Sequence, residues 1–407
     1  MARKYCERHT IKKRPSNILV VSFDALRRDF VTTYNPDARC EDNVFSRAAK
    51  LGTVYRNALA NGNWTIPSHA SLFTGLEGQE HGIFNWRECI PMEVETLFDK
   101  ATVADYRCAF LASKGVRELV KNRRAQFDFF SGTHEGDDQL ITEGDRPWCV
   151  FWHFLDTHAP YNMVAPGPAD LQNVDWQVED NTINWLRELI CTGRTSEITT
   201  KIKENLDVIG AKVSQLWSRL GSDTVVVLTS DHGEDFRRHM PFHCSFETTV
   251  LKVPMIVSAP GLASEISDEL ISHADIPSLI WDLASKESNE QRRQSLAKTP
   301  LSHQKGRVCI CGPDAFDNKE LFFATSDAEL ISISRPSTNE RQHFRLNQDQ
   351  RSRINAGSVA ELSGLEDALE EIVYNFQGRA TQVATIESNG EDVDALLEQL
   401  EKLGYIT

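Results

Sequence analysis

The chain has 407 residues, of which 40% are hydrophobic and 25% are charged, as in an ordinary globular protein. Its formal net charge of −15 argues against a general nucleic-acid-binding protein, because no broad basic face can offset so much acid. No apolar run approaches the roughly 18 residues of a membrane-spanning helix, so no membrane partner is expected.

The start of the chain and its cysteines favour a cytoplasmic location. Residues 1–16 form a basic N-terminal extension that lacks the apolar core of a signal peptide. The nine cysteines are odd in number and scattered, which is more typical of reduced thiols than of a disulfide framework.

Apolar runs alternate with helical patterns over the first 290 residues. This alternation predicts an α/β fold with a doubly wound, mostly parallel sheet in a catalytic domain at 17–290. The segment from 163 to about 200 lacks a clear pattern, and we interpret it as an irregular insertion over the site. Strands are predicted at 17–23, 106–112, 148–155, 224–230 and 254–259, and helices at 45–51, 202–220 and 276–284.

The pattern changes after residue 290. A polar linker is predicted at 291–305, followed by a smaller α+β subdomain at 306–407 with a small antiparallel sheet and a terminal helix. The polar segment near 336–357 is predicted to be mobile. Short strands are predicted at 307–311, 321–324 and 330–334, and amphipathic helices at 362–376 and 393–403.

A hydroxyl residue stands at the start of one predicted helix, in the segment 63–75. Thr65 is predicted to be the N-cap, with Pro67 in the first turn, where a missing N–H is tolerated. A helix N-terminus favours an anion such as phosphate or sulfate. Taken alone, the segment is more typical of a capped helix that has no chemical role.

Polar side chains follow the predicted parallel strands, and ligands bind at these ends of a doubly wound sheet. Asp24, Asp231 and His232 follow two of the strands directly, and His158 follows a third. Each has a structural alternative when considered singly, such as capping a helix. Together with Thr65 they predict a site for one divalent cation, Mn²⁺, Zn²⁺, Mg²⁺ or Ca²⁺, held by Asp24, Thr65, Asp231 and His232.

Further side chains are candidates for contacting an anionic substrate. His158 and His243 could stabilise charge or protonate a leaving oxygen, which is the usual general-acid role of histidine. Arg27, His69 and His239 are candidates for substrate binding, with a structural or solvated role as the alternative for each.

The chain resembles the sulfatase-like branch of the alkaline phosphatase superfamily from about residue 15 to 284. The resemblance implies that Asp24, Asp231 and His232 are metal ligands, that Thr65 is the nucleophile and that His158 contacts the substrate anion. The motifs that carry it are 20–27 (VVSFDALR), 65–75 (TIPSHASLFTG), 154–161 (FLDTHAPY) and 229–234 (TSDHGE), with a similar closing segment at 396–405.

Three departures from the family pattern affect the predicted chemistry. Sulfatases carry a cysteine or serine that becomes formylglycine, whereas Thr65 cannot yield that aldehyde because its Cβ carries a methyl group. His69 replaces the usual arginine, and Ala25 replaces the second carboxylate of an Asp-Asp pair. Relatives with a threonine nucleophile act on phosphorus. Some of these relatives bind two zinc ions and carry an Asp-x-x-x-His motif for the second ion. Asp156-Thr157-His158 does not have that spacing, which favours a site for a single metal ion.

The sequence therefore predicts a metal-dependent hydrolase of small anionic phosphate or phosphonate esters, with Thr65 as nucleophile. One alternative is a sulfuryl-ester hydrolase or a phosphoryl-type transferase that uses the unmodified threonine. Another is a pseudoenzyme that binds a partner. The sequence leaves a homo-oligomer open.

Overall fold

The strand β1 (Asn17–Phe23) is the centre of the main sheet in a computed structural model of the chain. All seven of its residues are buried. It pairs in parallel with β5 (Trp148–Phe154) on one side and with β6 (Thr224–Ser230) on the other. These two strands are also buried throughout, as expected for near-continuous apolar runs covered on both faces.

The structure describes residues 16–38, 43–86, 88–132, 141, 144–163, 175–236, 243–262, 264–285, 300–313, 321–338, 340–347, 351–354 and 362–383. The predicted extension up to residue 15, the predicted helix 393–403 and the candidate His239 lie outside these ranges.

The main sheet has eight strands and is mostly parallel. The remaining strands are β2 (Gly52–Leu59), β3 (Arg107–Leu111), β4 (Phe129–Ser131), β7 (Met255–Ser258) and β8 (Glu265–Ser272). Their order is β4-β3-β5-β1-β6-β7-β2-β8. Only β7 runs antiparallel to its neighbours within this sheet. The predicted α/β class and mostly parallel sheet are confirmed.

Helices cover both faces of this sheet, and β1 alternates between them. Ile18 and Val20 join an apolar cluster with the helices Thr65–Thr74 and Ile276–Ala284, whereas Leu19 and Val21 join a cluster with the helices Asn43–Ala49 and Thr195–Leu220. None of the helices in the described ranges is long and apolar enough to cross a bilayer. The helices are α1 (Asn43–Ala49), α2 (Thr65–Thr74), α3 (Gly78–His81), α4 (Leu97–Val103), α5 (Lys114–Glu118), α6 (Asp175–Cys191), α7 (Thr195–Leu220), α8 (Thr248–Leu251), α9 (Ile276–Ala284), α10 (Leu301–Lys305) and α11 (Leu362–Val383), with 3-10 turns at Arg28–Phe30, Lys121–Gln126 and His273–Asp275.

Three predictions for this part of the chain were wrong or incomplete. The segment predicted to be irregular contains α6, and α7 begins seven residues before the predicted start at 202. Strands β2, β4 and β8 were not predicted. Strand β8 has a largely exposed first half, so its sequence lacks the continuous apolar run that marks the central strands.

A second sheet of five antiparallel strands follows. Its order is β13-β12-β11-β10-β9, and α11 packs Leu369 and Ile372 against Cys309, Cys311 and Phe323. The small antiparallel sheet is confirmed, but the segment predicted to be mobile near 336–357 contains its last two strands. The strands are β9 (Val308–Gly312), β10 (Phe322–Ser326), β11 (Leu330–Arg335), β12 (Glu340–Leu346) and β13 (Arg351–Ile354).

Strand β9 contacts the segment that leads into α2. The Cys311 N–H donates to the Asn61 carbonyl oxygen at 3.0 Å, and the Asn63 N–H donates back to the Cys311 carbonyl at 3.3 Å. The buried carboxylate of Glu77 accepts the Cys309 N–H at 3.1 Å and lies 3.3 Å from Lys305 Nζ. The second sheet therefore helps to fix the start of α2.

Replacing Glu77 with alanine should destabilise the fold by about 2 kcal/mol, because the buried N–H of Cys309 loses its acceptor and Lys305 loses its partner. The free energy of unfolding in denaturant measures this change. The matched control is Glu95→Ala, since Glu95 pairs with Lys100 at 3.3 Å with half-exposed side chains. That change should cost less than about 1 kcal/mol, and equal losses for both variants would contradict the assignment.

Candidate metal and active site

Two buried carboxylates lie side by side at the ends of the central strands. The register of β1 and β6 pairs Phe23 with Ser230, so the next residues, Asp24 and Asp231, are neighbours. The Ala25 N–H donates to Asp231 Oδ1 at 3.0 Å. Asp24 is 1% exposed and Asp231 is fully buried, so bulk water solvates neither carboxylate.

Three oxygens of this pair remain available to a ligand. Asp231 Oδ1 accepts N–H groups from Ala25 and His232, but Asp231 Oδ2 and both Asp24 oxygens accept no hydrogen bond from the described residues. His232 Nδ1 lies 2.8 Å from the Gly233 carbonyl oxygen, which makes it the donor nitrogen. The other nitrogen, Nε2, lies 3.5 Å from Asp231 Oδ2 and 3.8 Å from Asp24 Oδ1.

The electrostatics of the pair also favour a cation. Burial, together with the charge of Asp24, raises the pKa of Asp231 to about 6. Burial opposes ionisation of Asp24 as well, but His158, His153 and His232 outweigh it and lower the Asp24 pKa. One ligand atom each from Asp24, Asp231 and His232 lie within 4.8 Å of one another. Carboxylate oxygens and an imidazole nitrogen are donors that suit a divalent cation.

Thr65 is the first residue of α2, and Trp64 is the N-cap, so the prediction that Thr65 caps the helix was wrong by one position. The shift keeps the hydroxyl in the first turn. Thr65 Oγ1 lies 3.4 Å from His232 Nε2 and the residue is 2% exposed. The hydroxyl therefore borders His232, which itself lies next to the carboxylate pair, and it stands in the turn whose N–H groups have no acceptor within the helix.

The start of α2 is tied to the end of β6 by a serine and a histidine. Ser68 Oγ contacts the Asp231 carbonyl oxygen and lies 2.9 Å from His273 Nδ1. His273 Nε2 lies 2.9 Å from the Ser230 carbonyl oxygen. Burial lowers the pKa of His273 to about 4, so its ring is neutral at pH 7. These contacts fix the position of Thr65 relative to the ends of the central strands.

His158 and His243 lie beside this group. The loop that carries His158 is held by Thr157 Oγ1, which donates to the Asp24 carbonyl oxygen at 2.7 Å, and by Asn205, which donates to the Asp156 carbonyl at 2.7 Å. The His243 ring centroid is 5.3 Å from that of His158 and 5.0 Å from that of His232. Burial lowers the pKa of both His158 and His243, so both imidazoles are neutral at pH 7.

Two predicted substrate-binding residues face protein atoms instead. His69 is fully buried, with Nδ1 2.8 Å from the Thr65 carbonyl oxygen and Nε2 3.0 Å from Ser22 Oγ. Its ring therefore faces the protein interior next to Thr65, whereas the sequence predicted that it would face the substrate. Arg27 forms a two-point contact with Asp29, at 2.6 and 3.0 Å, and its guanidinium lies over the ring of Phe30.

The sequence reasoning missed two residues of the site. His153 lies within β5, opposite Ser22, and its Nε2 is 3.2 Å from Asp24 Oδ2. A histidine within an otherwise apolar strand was the available signal. Glu234 belongs to a recognised motif but was given no role; it is buried, and one of its oxygens accepts the Tyr161 hydroxyl.

Asp231→Asn should weaken divalent cation binding at least tenfold, about 1.4 kcal/mol or more. Asparagine keeps an oxygen for the two backbone N–H groups but replaces Oδ2 with an amide that cannot ligate a cation. Calorimetric titration with Zn²⁺ or Mn²⁺ measures the affinity. The control is Asp275→Asn, because Asp275 is also buried but both its oxygens accept N–H groups. A similar loss of affinity in the control would argue against the assignment.

The raised pKa of Asp231 also predicts a pH dependence in metal-free protein. The folded state holds this proton more tightly than the unfolded chain, so the contribution to stability is fully present below about pH 4 and is lost as the pH rises through about 6. In chelator, the wild type should therefore lose stability relative to Asp231→Asn between pH 4 and 7. Unfolding free energies over this range test the sign, and a relative gain by the wild type would refute it.

Comparison with known proteins supports a shared architecture. The Sulfatase family profile matches residues 16–286. A choline-sulfatase of Rhizobium meliloti (strain 1021) is 24% identical over 217 residues, which are 46% of this chain and 38% of that protein; the match thus spans little more than a third of the relative.

Solved structures share the fold at low identity. A 2-O GAG sulfatase superposes with a TM-score of 0.67 at 14% identity, covering 92% of this chain and 95% of the other. The phosphonate monoester hydrolase of Agrobacterium radiobacter superposes with a TM-score of 0.63 at 15% identity, covering 90% and 96%. Since the family profile covers well over half of the sequence, the chain belongs to the sulfatase family of hydrolases.

Proposed function

We propose that this protein is a metal-dependent hydrolase of small phosphate or phosphonate esters, with Thr65 as the nucleophile. The observation that carries the proposal is the position of the Thr65 hydroxyl. It stands at the first residue of α2, 3.4 Å from His232 Nε2. A hydroxyl at a helix N-terminus next to a cation site suits nucleophilic attack on an anionic ester.

The identity of residue 65 favours phosphorus over sulfur. A threonine keeps its hydroxyl, whereas the aldehyde chemistry of sulfatases starts from cysteine or serine. Attack of Thr65 Oγ1 on phosphorus forms a phosphothreonine and breaks the bond to the leaving oxygen. The proton lost from the Thr65 hydroxyl is matched by the proton that the departing alkoxide takes up, so the leaving group is released as the alcohol. Water then cleaves the phosphothreonine and regenerates the hydroxyl.

Each element of the site has a role in this scheme. The N–H groups at the start of α2 bind non-bridging oxygens of the substrate. His243 is neutral, and as such it can donate one ring N–H to an oxygen of the transferring group. The single N–H of neutral His158 is on Nδ1, 2.5 Å from the Ala159 carbonyl oxygen, so its Nε2 acts as an acceptor. A divalent cation held by Asp24, Asp231, His232 and Thr65 would lower the pKa of the Thr65 hydroxyl and draw negative charge from the ester.

The main competing function is hydrolysis of a sulfate ester by the unmodified threonine, which the names of several relatives favour. A transferase would pass the group from Thr65 to an alcohol in place of water. A pseudoenzyme is less consistent with the site, because two buried carboxylates without a cation cost stability. We also propose a cytoplasmic location, in keeping with the buried thiols of Cys108, Cys149 and Cys309.

Thr65→Ala should lower turnover of aryl phosphate or phosphonate esters by about a thousandfold or more, because the attacking oxygen is lost. Bound metal, measured by elemental analysis, should persist through Asp24, Asp231 and His232. Thr65→Ser should retain part of the activity. The control is Thr74→Ala at the other end of α2, where the hydroxyl donates to the Ala70 carbonyl oxygen. Unchanged turnover in Thr65→Ala would remove the nucleophile assignment.

The substrate class is tested separately with a panel of aryl esters. The same leaving group on phosphate monoesters, phosphate diesters, phosphonate monoesters and sulfates allows kcat/KM to be compared directly. The proposal expects the highest values among the phosphorus esters. A preference for the sulfate would favour the competing function, and transfer of the group to added alcohols would favour the transferase.

A further inference from the structure

A buried imidazole connects the nucleophile candidate to the central strand. His69 lies one helical turn after Thr65 in α2 and is fully buried. Its Nδ1 is 2.8 Å from the Thr65 carbonyl oxygen, and its Nε2 is 3.0 Å from Ser22 Oγ. Ser22 belongs to β1 and is also fully buried. One side chain therefore bridges the first turn of α2 and the strand that leads to Asp24.

The partners of the two ring nitrogens define the direction of each hydrogen bond. A carbonyl oxygen only accepts, so Nδ1 of His69 carries the N–H and donates to the Thr65 carbonyl. Burial lowers the pKa of His69 well below its usual range, so the ring is neutral and Nε2 has no proton. Nε2 therefore accepts the Ser22 hydroxyl. The bridge is an ordered chain of two hydrogen bonds from Ser22 to Thr65.

The use of both nitrogens separates His69 from the cation ligands. One ligand atom each from His69, His153 and Asp231 lies within 4.8 Å of the other two. The Nδ1 of His69 is 3.7 Å from Asp231 Oδ2 but only 2.8 Å from the Thr65 carbonyl oxygen. A neutral ring whose N–H and lone pair are both engaged has nothing left to offer a cation. The side chain therefore acts on the backbone of Thr65.

Neighbouring rings hold this imidazole in place. The ring of Phe151 in β5 meets it edge-on, with centroids 5.7 Å apart and planes at 86°, and His153 does the same at 4.9 Å and 88°. Phe73, one turn further along α2, is 5.7 Å away. In a close-packed interior the ring cannot turn without displacing these neighbours. The separation between Ser22 and the Thr65 carbonyl is therefore fixed.

We propose that His69 is a positioning residue that fixes the backbone of Thr65 relative to β1. Ser68 and His273 attach the same helical turn to β6. With His69, the turn is attached to both strands that lead into the carboxylate pair. Reacting atoms must be placed closely for attack, so loss of one attachment should lower the rate more than the affinity for substrate. This inference rests on the proposed role of Thr65 as nucleophile.

The test compares His69→Phe and Ser22→Ala in turnover of the best aryl ester, whether phosphate, phosphonate or sulfate. Phenylalanine keeps a ring in the core but forms neither hydrogen bond, and Ser22→Ala removes only the bond to β1. We expect kcat to fall about tenfold or more in each variant, while KM changes by less than about threefold and bound metal is retained. The double variant should be no slower than His69→Phe, because both changes break the same bridge.

The matched control is His81→Phe. His81 is likewise buried, and its Nε2 is 3.1 Å from Oγ of Ser71, a residue in the second half of α2. The control thus removes a buried contact between a histidine and a serine of the same helix, away from its first turn. It should keep kcat within about threefold of the wild type, even where the losses of folding stability are equal.

Ser22→Ala remains informative if His69→Phe fails to fold, which circular dichroism would show. A kcat within about threefold of the wild type in Ser22→Ala would overturn the inference. So would an effect confined to KM, fully additive losses in the double variant, or an equal loss of kcat in His81→Phe. These outcomes leave the proposed function intact, which fails instead if Thr65→Ala keeps its turnover.

Discussion

The pairing of β1 with β6 sets the constraint on which the site depends. Backbone hydrogen bonds fix Phe23 opposite Ser230, so the carboxylates of Asp24 and Asp231 cannot move apart without breaking the centre of the sheet. Both are buried, and like charges at this distance in a low dielectric repel strongly. The fold therefore places two buried negative charges side by side at the end of its central strands, where a cation would stabilise them.

The sequence was informative wherever burial left a continuous apolar pattern. Strands β1 and β6 were predicted with their observed bounds, because both faces of each are covered and each has a continuous apolar run at its centre. Strands at or near the sheet edges lack that signal. Strand β8 reads EISDELIS, and strand β12 reads ERQHFRL with several exposed positions. A strand that is half exposed resembles a loop when its neighbours in space are unknown.

The same distinction applies to the site. Asp24, Asp231 and His232 could be found because each directly follows a buried strand, and strand ends converge in this fold. The direction of a side chain could not be found in this way. His69 is one helical turn after Thr65, and its ring turns inward to the Thr65 carbonyl oxygen. Arg27 pairs with Asp29, two residues further along the chain. Such local contacts depend on geometry that spacing alone does not give.

The nucleophile candidate stands between the two sheets, and each fixes part of its position. On the side of the main sheet, Ser68 and His273 attach the first turn of α2 to the end of β6. On the side of the second sheet, the backbone of Cys311 in β9 forms hydrogen bonds with the backbones of Asn61 and Asn63, just before the helix begins. The carboxylates belong to the main sheet alone, so a shift of the second sheet would move Thr65 relative to them. The C-terminal sheet is thus part of the reaction geometry, although it contributes none of the proposed ligands.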